Sequence, residues 1–196
     1  MKTKSDLTRE KILQAALHEF SVHGLAGARV DEIAASAGIN KAMIYYHFES
    51  KEALFNELFK VEMDLLNQEI TSLLQQRDTS SIADMSVAMK ELLKYVTSKK
   101  KLLTVLISET ARNDSQTSHL FQLLDVTTAM GLETAEKTGR SLPEKDEPLF
   151  HELFSGLLPL LYFVLLKDKL KEYYGWKEKT LDDRFIAYWL RHHGGY

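Results

Sequence analysis

The fold is decided by residues 30–48, which read VDEIAASAGINKAMIYYHF. Between Val30 and Ala37 the apolar residues follow the i, i+3, i+4, i+7 spacing of an amphipathic helix. Gly38 predicts the end of this helix, because glycine readily adopts the left-handed conformation common at helix C-termini. Asn40 then offers an N-cap for a second helix, since its side-chain oxygen can accept a backbone N–H. Two short helices joined by a glycine turn predict a helix-turn-helix, whose second helix enters the major groove of DNA.

The second helix carries side chains suited to that role. Lys41, Tyr45, Tyr46 and His47 are all hydrogen-bond donors that can reach phosphate oxygens or base edges. The simpler interpretation is that the lysine is an ordinary solvated side chain and that Tyr45 packs in a small three-helix core. We take sequence-specific DNA binding as the leading hypothesis.

The composition indicates a folded, mostly helical protein. Of 196 residues, 44% are hydrophobic, and there are only 3 prolines and 9 glycines. The lack of cysteine excludes disulfides, thiolate metal sites and cysteine nucleophiles from this sequence. The 7 histidines include no metal motif such as His-Glu-x-x-His, and the sequence shows no nucleophile–base pair or phosphate loop. We therefore predict no metal, no cofactor and no enzymatic activity.

The charge distribution bears on the DNA hypothesis. The formal net charge is -3, and residues 1–52 are neutral, with seven Lys or Arg against seven Asp or Glu. This is not a strongly basic chain. If it binds DNA, its few cations must cluster on one face, and affinity should fall steeply as salt is added.

No segment of the sequence predicts export or membrane insertion. The first residues, MKTKSD, are polar and lack the apolar core of a signal peptide. The longest apolar-rich run, 153–166, includes Pro159 and is shorter than the roughly 20 residues of a spanning helix. We expect a soluble cytoplasmic protein with no membrane partner.

Helical periodicity continues along the whole chain, and no strand pattern or internal repeat is present. The sequence predicts an all-α fold of about nine helices. Ser50 is expected to cap the fourth helix and Thr180 the last, and Pro159 is expected to kink the eighth. Breaks are expected at 77–81, at the basic segment 98–101 and at 139–146. The predicted helices are approximately 8–23, 30–37, 41–48, 51–76, 81–97, 102–113, 117–137, 148–167 and 181–193.

Over residues 8–60 the sequence resembles the TetR family of bacterial transcriptional repressors. Gly24, the whole block 30–48 and the segment Lys51-Glu52-Ala53-Leu54 carry the resemblance. In that family the recognition helix reads roughly Ser-Lys-Gly-Thr-Leu-Tyr-x-His/Tyr-Phe, followed by Ser/Asn-Lys-Glu-x-Leu. The resemblance implies a DNA-binding domain at 1–52, with its helix-turn-helix at about 29–48. It implies a ligand-binding and dimerisation domain at 53–196.

The resemblance also implies a set of DNA-contacting positions. Lys41 would contact a phosphate or a base, and Lys51 would hold the DNA backbone at the start of the fourth helix. Ala42 and Met43 would face the groove, where small or apolar groups can touch a thymine methyl. Arg29 stands where the family has a hydroxyl and would take over its phosphate contact. The complete predicted set is Arg29, Asn40, Lys41, Ala42, Met43, Tyr45, Tyr46, His47 and Lys51.

In the C-terminal part the resemblance implies a small-molecule cavity and a dimer interface. Helices apolar nearly all round need cover on most sides, and two half-sites of DNA call for a two-fold dimer. The simpler interpretation is that both helices are intrachain core. The predicted pocket residues are Met63, Met85, Met89, Glu109, Phe121, His151 and Phe154. The predicted interface residues are Phe150, Phe154, Leu157, Leu161, Phe185, Tyr188 and Trp189.

The sequence therefore predicts a homodimeric regulator that binds a pseudo-palindromic operator. We expect a repressor that is released by an apolar or amphipathic small molecule. The main alternative is an architectural DNA-binding protein of the same fold that takes no ligand. An all-α enzyme and a helical protein-interaction module are further alternatives.

Overall fold

A computed structural model of the chain describes residues 3–75, 81–111, 119–137 and 147–193. Every regular element in these ranges is helical, which confirms the all-α prediction. They form nine continuous helical segments, in agreement with the number predicted. The segments are α1 (Lys4–Gly27), α2 (Val30–Ala37), α3 (Lys41–His47), α4 (Lys51–Gln75), α5 (Ile82–Ser98), α6 (Lys100–Ala111), α7 (His119–Lys137), α8 (Glu147–Tyr174) and α9 (Glu178–His193).

The helices divide into two compact units. Unit 1 comprises Met1–Leu65 and Lys101–His119, and unit 2 comprises Leu66–Lys100 and Leu120–Tyr196. Helix α6 thus belongs with the N-terminal helices. The predicted division of roles, DNA binding in 1–52 and ligand binding in 53–196, concerns function and stays a prediction.

Helix α1 begins earlier than its periodicity predicted. Thr3 and Asp6 form a capping box, in which the Thr3 hydroxyl accepts the Asp6 N–H at 3.1 Å and the Asp6 carboxylate accepts the Thr3 N–H at 2.8 Å. At the other end Gly24 has φ 66°, which breaks the helix where the sequence placed its end. One further turn continues to Gly27.

Unit 1 is built around an aromatic and aliphatic core. Phe20 of α1 is 1% exposed and meets Phe55 of α4 edge-on, with ring centroids 5.2 Å apart. Ile33 of α2 and Ile44 of α3 are almost fully buried. Each of the first four helices therefore contributes to one core, which fixes how α3 is presented at the surface.

Unit 2 packs α8 and α9 together. Phe163 and Phe185 stack with ring centroids 4.0 Å apart, and Leu161 and Ile186 are buried. Buried Lys167 pairs with Asp182 at 2.8 Å and with Glu178 at 3.2 Å, so its charge is matched within the same helix pair.

Helix α8 contains a π-helical segment, Glu152–Leu157, directly before Pro159. The Leu158 N–H donates to the Leu153 carbonyl, five residues back instead of four. Pro159 has no backbone N–H to donate to the preceding turn of the helix. The wider π-helical turn lies beside Pro159, at the position where the sequence predicted a kink. The helix continues to Tyr174, and Gly175 ends it with φ 67°.

By length and composition α8 could also cross a membrane, with a mean hydropathy of 1.8 over its most apolar 18 residues. One such helix is weak evidence, because core helices of soluble proteins pass the same test. Only 33% of that window is buried within the chain, which leaves much apolar surface on this helix.

The predicted breaks and caps have different outcomes. The break at 98–101 is confirmed but short, because α5 ends at Ser98, α6 begins at Lys100 and only Lys99 separates them. Thr180 does not cap α9, which begins at Glu178, where Lys171 Nζ holds the Glu178 carboxylate at 2.9 Å. The predicted loop 139–146 and most of the break at 77–81 fall outside the described residues, although Ser81 caps α5.

Candidate nucleic-acid interface

The glycine turn has the geometry that the sequence predicted. Gly38 adopts φ 68° and ψ 35°, and its N–H donates to carbonyls at the end of α2. A side chain added there would meet nothing within 4 Å, so the backbone angle alone calls for glycine. Asn40 caps α3, its Oδ1 accepting the Met43 N–H at 2.8 Å. The turn and the cap together fix where α3 starts.

Helix α3 divides cleanly into a buried and an exposed face. Ile44 and the following Phe48 are buried, at 1% and 5% exposure. This supports a core role for Phe48 and leaves Tyr45, 47% exposed, at the surface. The exposed side chains of α3 are Lys41, Ala42, Met43, Tyr45 and Tyr46.

Lys41 is held by an acidic neighbour on α2. Its Nζ lies 3.0 Å from Asp31 Oδ2, and both side chains are about half exposed. An exposed pair of this kind is weak and readily exchanged. Lys41 can therefore reach a phosphate, but only by leaving Asp31.

Lys51 has a structural role that the sequence did not reveal. Its Nζ donates to the carbonyls of Ala26 and Ala28, at 3.2 and 3.1 Å. These carbonyls belong to the end of α1 and the link to α2. Lys51 thus fastens α4 to the segment that leads into the helix-turn-helix, and its predicted phosphate contact stays a prediction.

The remaining predicted contacts lie around this face. Arg29 is exposed at the N-cap of α2, and its backbone N–H donates to Glu19 Oε1 at 3.2 Å. His47 is half-buried, and its ring meets that of Tyr46 edge-on at 5.2 Å. Within unit 1 the predicted DNA-contacting residues therefore surround one exposed helix and its two flanks.

Arg9 of α1 is a residue that sequence reasoning missed. Its guanidinium lies over the Phe48 ring, 5.5 Å from the centroid, and forms an ion pair with Glu57 of α4. It joins α1 to the end of the recognition helix and to α4. Since its partners are 39 and 48 residues away in the chain, no local spacing could have indicated it.

Comparison with known proteins bears on the whole of this region. The family model described as bacterial regulatory proteins, tetR family, matches residues 12–58. Residues 12–58 are therefore similar to the corresponding segment of TetR-family regulatory proteins. The match covers the buried residues of α1, the glycine turn, the whole of α3 and the start of α4.

Individual relatives agree with this assignment. The chain is 47% identical over 58 residues to an uncharacterised HTH-type transcriptional regulator, YdgC, of Bacillus subtilis, covering 30% of each chain. It is 36% identical over 93 residues to the HTH-type transcriptional repressor NicS of Pseudomonas putida, covering 47% of this chain and 42% of that one. The chain thus spans less than half the length of these curated relatives.

The fold extends the likeness beyond the matched segment. A transcriptional regulator FadR from Bacillus subtilis, solved in complex with stearoyl-CoA, has a TM-score of 0.65, with 95% of this chain and 99% of that one covered. The two sequences are only 16% identical. This likeness shows that the two chains share a fold over nearly their whole length.

The predicted pocket residues are divided between the two units, and their role stays a prediction. Met63 and Glu109 belong to unit 1, and the other five belong to unit 2. Glu109 Oε1 accepts the Leu25 N–H at 3.2 Å, next to the break in α1. Met89 is buried at 3% exposure, whereas Phe121 and Phe154 are more than half exposed and Met85 and His151 are intermediate.

Two features of unit 2 were not anticipated. An open groove of about 500 Å³ is lined by Asn67, Gln68, Thr71, Ser72 and Met130, none of them predicted pocket residues. In addition, the carboxyl group of Glu152 is buried in the π-helical segment. Burial raises the pKa of Glu152, and a side-chain hydrogen bond with Thr127 opposes that effect only in part.

The predicted interface residues differ in what they expose. Leu157 and Leu161 are buried within the protomer, at 4% and 1% exposure. Phe185 stacks on Phe163, and Trp189 Nε1 donates to the Gly156 carbonyl at 3.2 Å. The exposed large apolar and aromatic side chains of α8 and α9 are Leu149, Phe150, Phe154, Tyr162, Leu166, Tyr173, Tyr174 and Tyr188.

Proposed function

We propose that the protein is a sequence-specific DNA-binding transcriptional repressor that acts as a homodimer and is released from its operator by a small molecule. The observation that carries this proposal is the exposed face of α3, held on a packed three-helix unit by the Gly38 turn and the Asn40 cap. A helix presented in this way fits the major groove. The named repressor NicS supports the direction of control.

Electrostatics supports a modest, salt-sensitive contact with the DNA backbone. Arg29 and Lys41 are exposed on either side of α2 and α3, and Lys41 can exchange Asp31 for a phosphate. Each phosphate contact releases counterions, so the logarithm of affinity falls with the logarithm of salt. We place the protein in the bacterial cytoplasm, where such a regulator meets its DNA.

The homodimer is supported by the surface of unit 2. Phe150, Phe154 and Tyr188 are each about 60% exposed. Phe150 and Phe154 also stack on each other, with ring centroids 6.1 Å apart, and an exposed apolar patch is often covered by a protein partner. A two-fold dimer covers it and also brings two recognition helices to the two half-sites of a pseudo-palindrome.

The small-molecule ligand is the least constrained part of the proposal. The FadR structure with stearoyl-CoA shows that one TetR-like fold holds an amphipathic molecule. A ligand would act here by binding one state of the dimer more tightly than the other. The alternative is a ligand-independent architectural DNA-binding protein, favoured by the scatter of the predicted pocket residues between buried and exposed positions.

The test is binding of the purified full chain to DNA from its own upstream intergenic region, followed by fluorescence anisotropy across a salt series. We expect specific binding with two protomers per site. Lys41→Ala and Tyr45→Ala should each weaken it roughly tenfold or more, and Lys41→Ala should reduce the salt slope by about 1. Lys94→Ala removes an exposed lysine of unit 2 and serves as the matched control.

Two results would contradict the proposal. Equal affinity for unrelated DNA would reject sequence-specific regulation, and undiminished binding by both α3 variants would reject α3 as the recognition helix. Circular dichroism of each variant shows whether it is folded. Turnover of any substrate that survived Lys41→Ala would instead favour an enzyme.

A further inference from the structure

The exposed face of α3 is poor in the side chains that read bases through paired hydrogen bonds. Helix α3 reads KAMIYYH, and it contains no Arg, Asn, Gln, Asp or Glu. Arginine or lysine reads guanine and asparagine or glutamine reads adenine through two simultaneous hydrogen bonds, and acidic side chains accept from cytosine. Lys41 is the one residue of these types within α3.

The two polar residues at the start of α3 are already engaged. Asn40 Oδ1 accepts the Met43 N–H at 2.8 Å as the helix cap, so it cannot also complete a paired contact with adenine. Lys41 Nζ lies 3.0 Å from Asp31 Oδ2. A lysine that leaves this pair is a single flexible point charge and suits a phosphate well.

The exposed surface of α3 that remains is apolar and aromatic. Met43 is 39% exposed, Tyr45 is 47% exposed, and the methyl group of Ala42 is also exposed. The major groove offers one apolar group among the four base pairs, the 5-methyl of thymine. Methionine adapts its shape readily to such a contact, because its side chain is unbranched and its sulfur is polarizable.

We propose that Met43, assisted by Ala42, determines operator specificity by packing against thymine 5-methyl groups, so that each half-site carries thymine beneath the middle of α3. This inference rests on the proposed DNA-binding function and adds the base that is read. Tyr45 contributes a single hydroxyl, which orients the helix on the duplex without distinguishing guanine from adenine by a paired contact.

The test changes single atoms of the DNA. Preferred sites are first selected from random duplexes with the full chain, and each thymine of one half-site is then replaced by deoxyuridine, which lacks only the 5-methyl group. At one or two thymines we expect binding to weaken roughly fourfold per methyl group at constant salt. At the other thymines of the site, replacement by deoxyuridine should leave the binding affinity unchanged.

Protein variants then identify the reader. Met43→Ala should bind the thymine site more weakly and lose most of the difference between thymine and deoxyuridine, since the methyl group has no partner left. Met43→Leu keeps an apolar side chain of similar size, so it should retain the difference in affinity between the thymine and deoxyuridine sites. Met85→Ala, on α5 of unit 2, is the matched control and should behave as the wild type.

The outcomes separate this inference from the function it rests on. The inference would be overturned if the protein binds a selected site specifically and its affinity does not fall when any thymine is replaced by deoxyuridine. The proposed regulatory function would still stand in that case. A full deoxyuridine effect that persisted in Met43→Ala would assign the contact to another residue and overturn the role of Met43. Failure to enrich any sequence, with equal binding to unrelated DNA, would reject the proposed function and the inference with it.

Discussion

A short segment of the chain and the chain as a whole contrast in how far their sequences agree with known proteins. Over 58 residues, identity with a curated regulator reaches 47%. Over nearly the whole chain, identity with FadR is 16% although the fold is shared. A helix-turn-helix must meet the fixed geometry of the DNA backbone, which restricts residue types at the cap, the turn and the recognition helix. The helices of unit 2 need only an apolar face at helical spacing, which many sequences provide.

The two compact units contrast in how far they bury phenylalanine side chains. Unit 1 buries all four of its phenylalanines, among them Phe20 and Phe59. Unit 2 leaves Phe154 and Tyr188 about 60% exposed. If unit 2 forms the dimer, this exposed surface is its interface. Unit 1 then completes its hydrophobic core within one chain, whereas unit 2 completes its core by packing against a second copy.

The largest effect is expected from breaking the core of unit 1. Phe20 is 1% exposed and packs edge-on against Phe55, so Phe20→Ala should cost about 3–5 kcal/mol of unfolding free energy. That is a large fraction of the stability of an ordinary domain. Urea unfolding followed by circular dichroism measures it. Phe121→Ala in unit 2, at a side chain 55% exposed, is the control, and an equal loss in both variants would contradict the contrast.

The next effect sharpens the interpretation of the exposed surface in unit 2. Phe154→Lys would place two lysines in a two-fold interface, and it should weaken the dimer by roughly 2 kcal/mol per copy. Sedimentation equilibrium should then show monomers at concentrations where the wild type is dimeric. Val22→Lys, at a position in unit 1 that is likewise 60% exposed, should leave the dimer unchanged. Dissociation by Val22→Lys alone would move the interface to unit 1.

What the sequence predicted well was local. The glycine turn and the Asn40 cap depend on residues a few positions apart, and the structure has both of them. What it missed was long-range: the contact of Glu109 with Leu25 joins residues 84 positions apart, and the Lys167 pair forms only once α8 and α9 lie side by side. Periodicity reports which face of a helix is apolar, and it cannot report which distant backbone group a polar side chain will meet.

Glu152 tests whether the interior of unit 2 tolerates charge. Burial raises its pKa above the ordinary value of 4.5, so the folded protein favours the protonated carboxyl. This contribution to stability is fully present below pH 4.5 and is lost as pH rises through the higher pKa of the folded state. Glu152→Gln keeps the neutral shape and a hydrogen bond for Thr127, so it should melt above the wild type at pH 8.

The control for this comparison lies on the same helix. Glu147→Gln removes an exposed carboxylate at the start of α8 and should follow the wild-type pH dependence of melting. Melting of the Glu152→Gln variant below the wild type at pH 8 would show that the charged form is favoured by the fold. In that case the interior of unit 2 would accommodate the charged Glu152 carboxylate.

The smallest expected effect concerns the surface of unit 1. Asp31→Asn releases Lys41 for a phosphate, and because exposed pairs contribute at most about 1 kcal/mol, DNA affinity should rise no more than roughly fivefold. Glu32→Gln removes the neighbouring exposed carboxylate of α2 and reports the general effect of one less negative charge. If the pair itself restrains Lys41, Asp31→Asn must raise affinity more than Glu32→Gln does. The excess must disappear in a Lys41→Ala background, since the double-mutant cycle then has no lysine left to release.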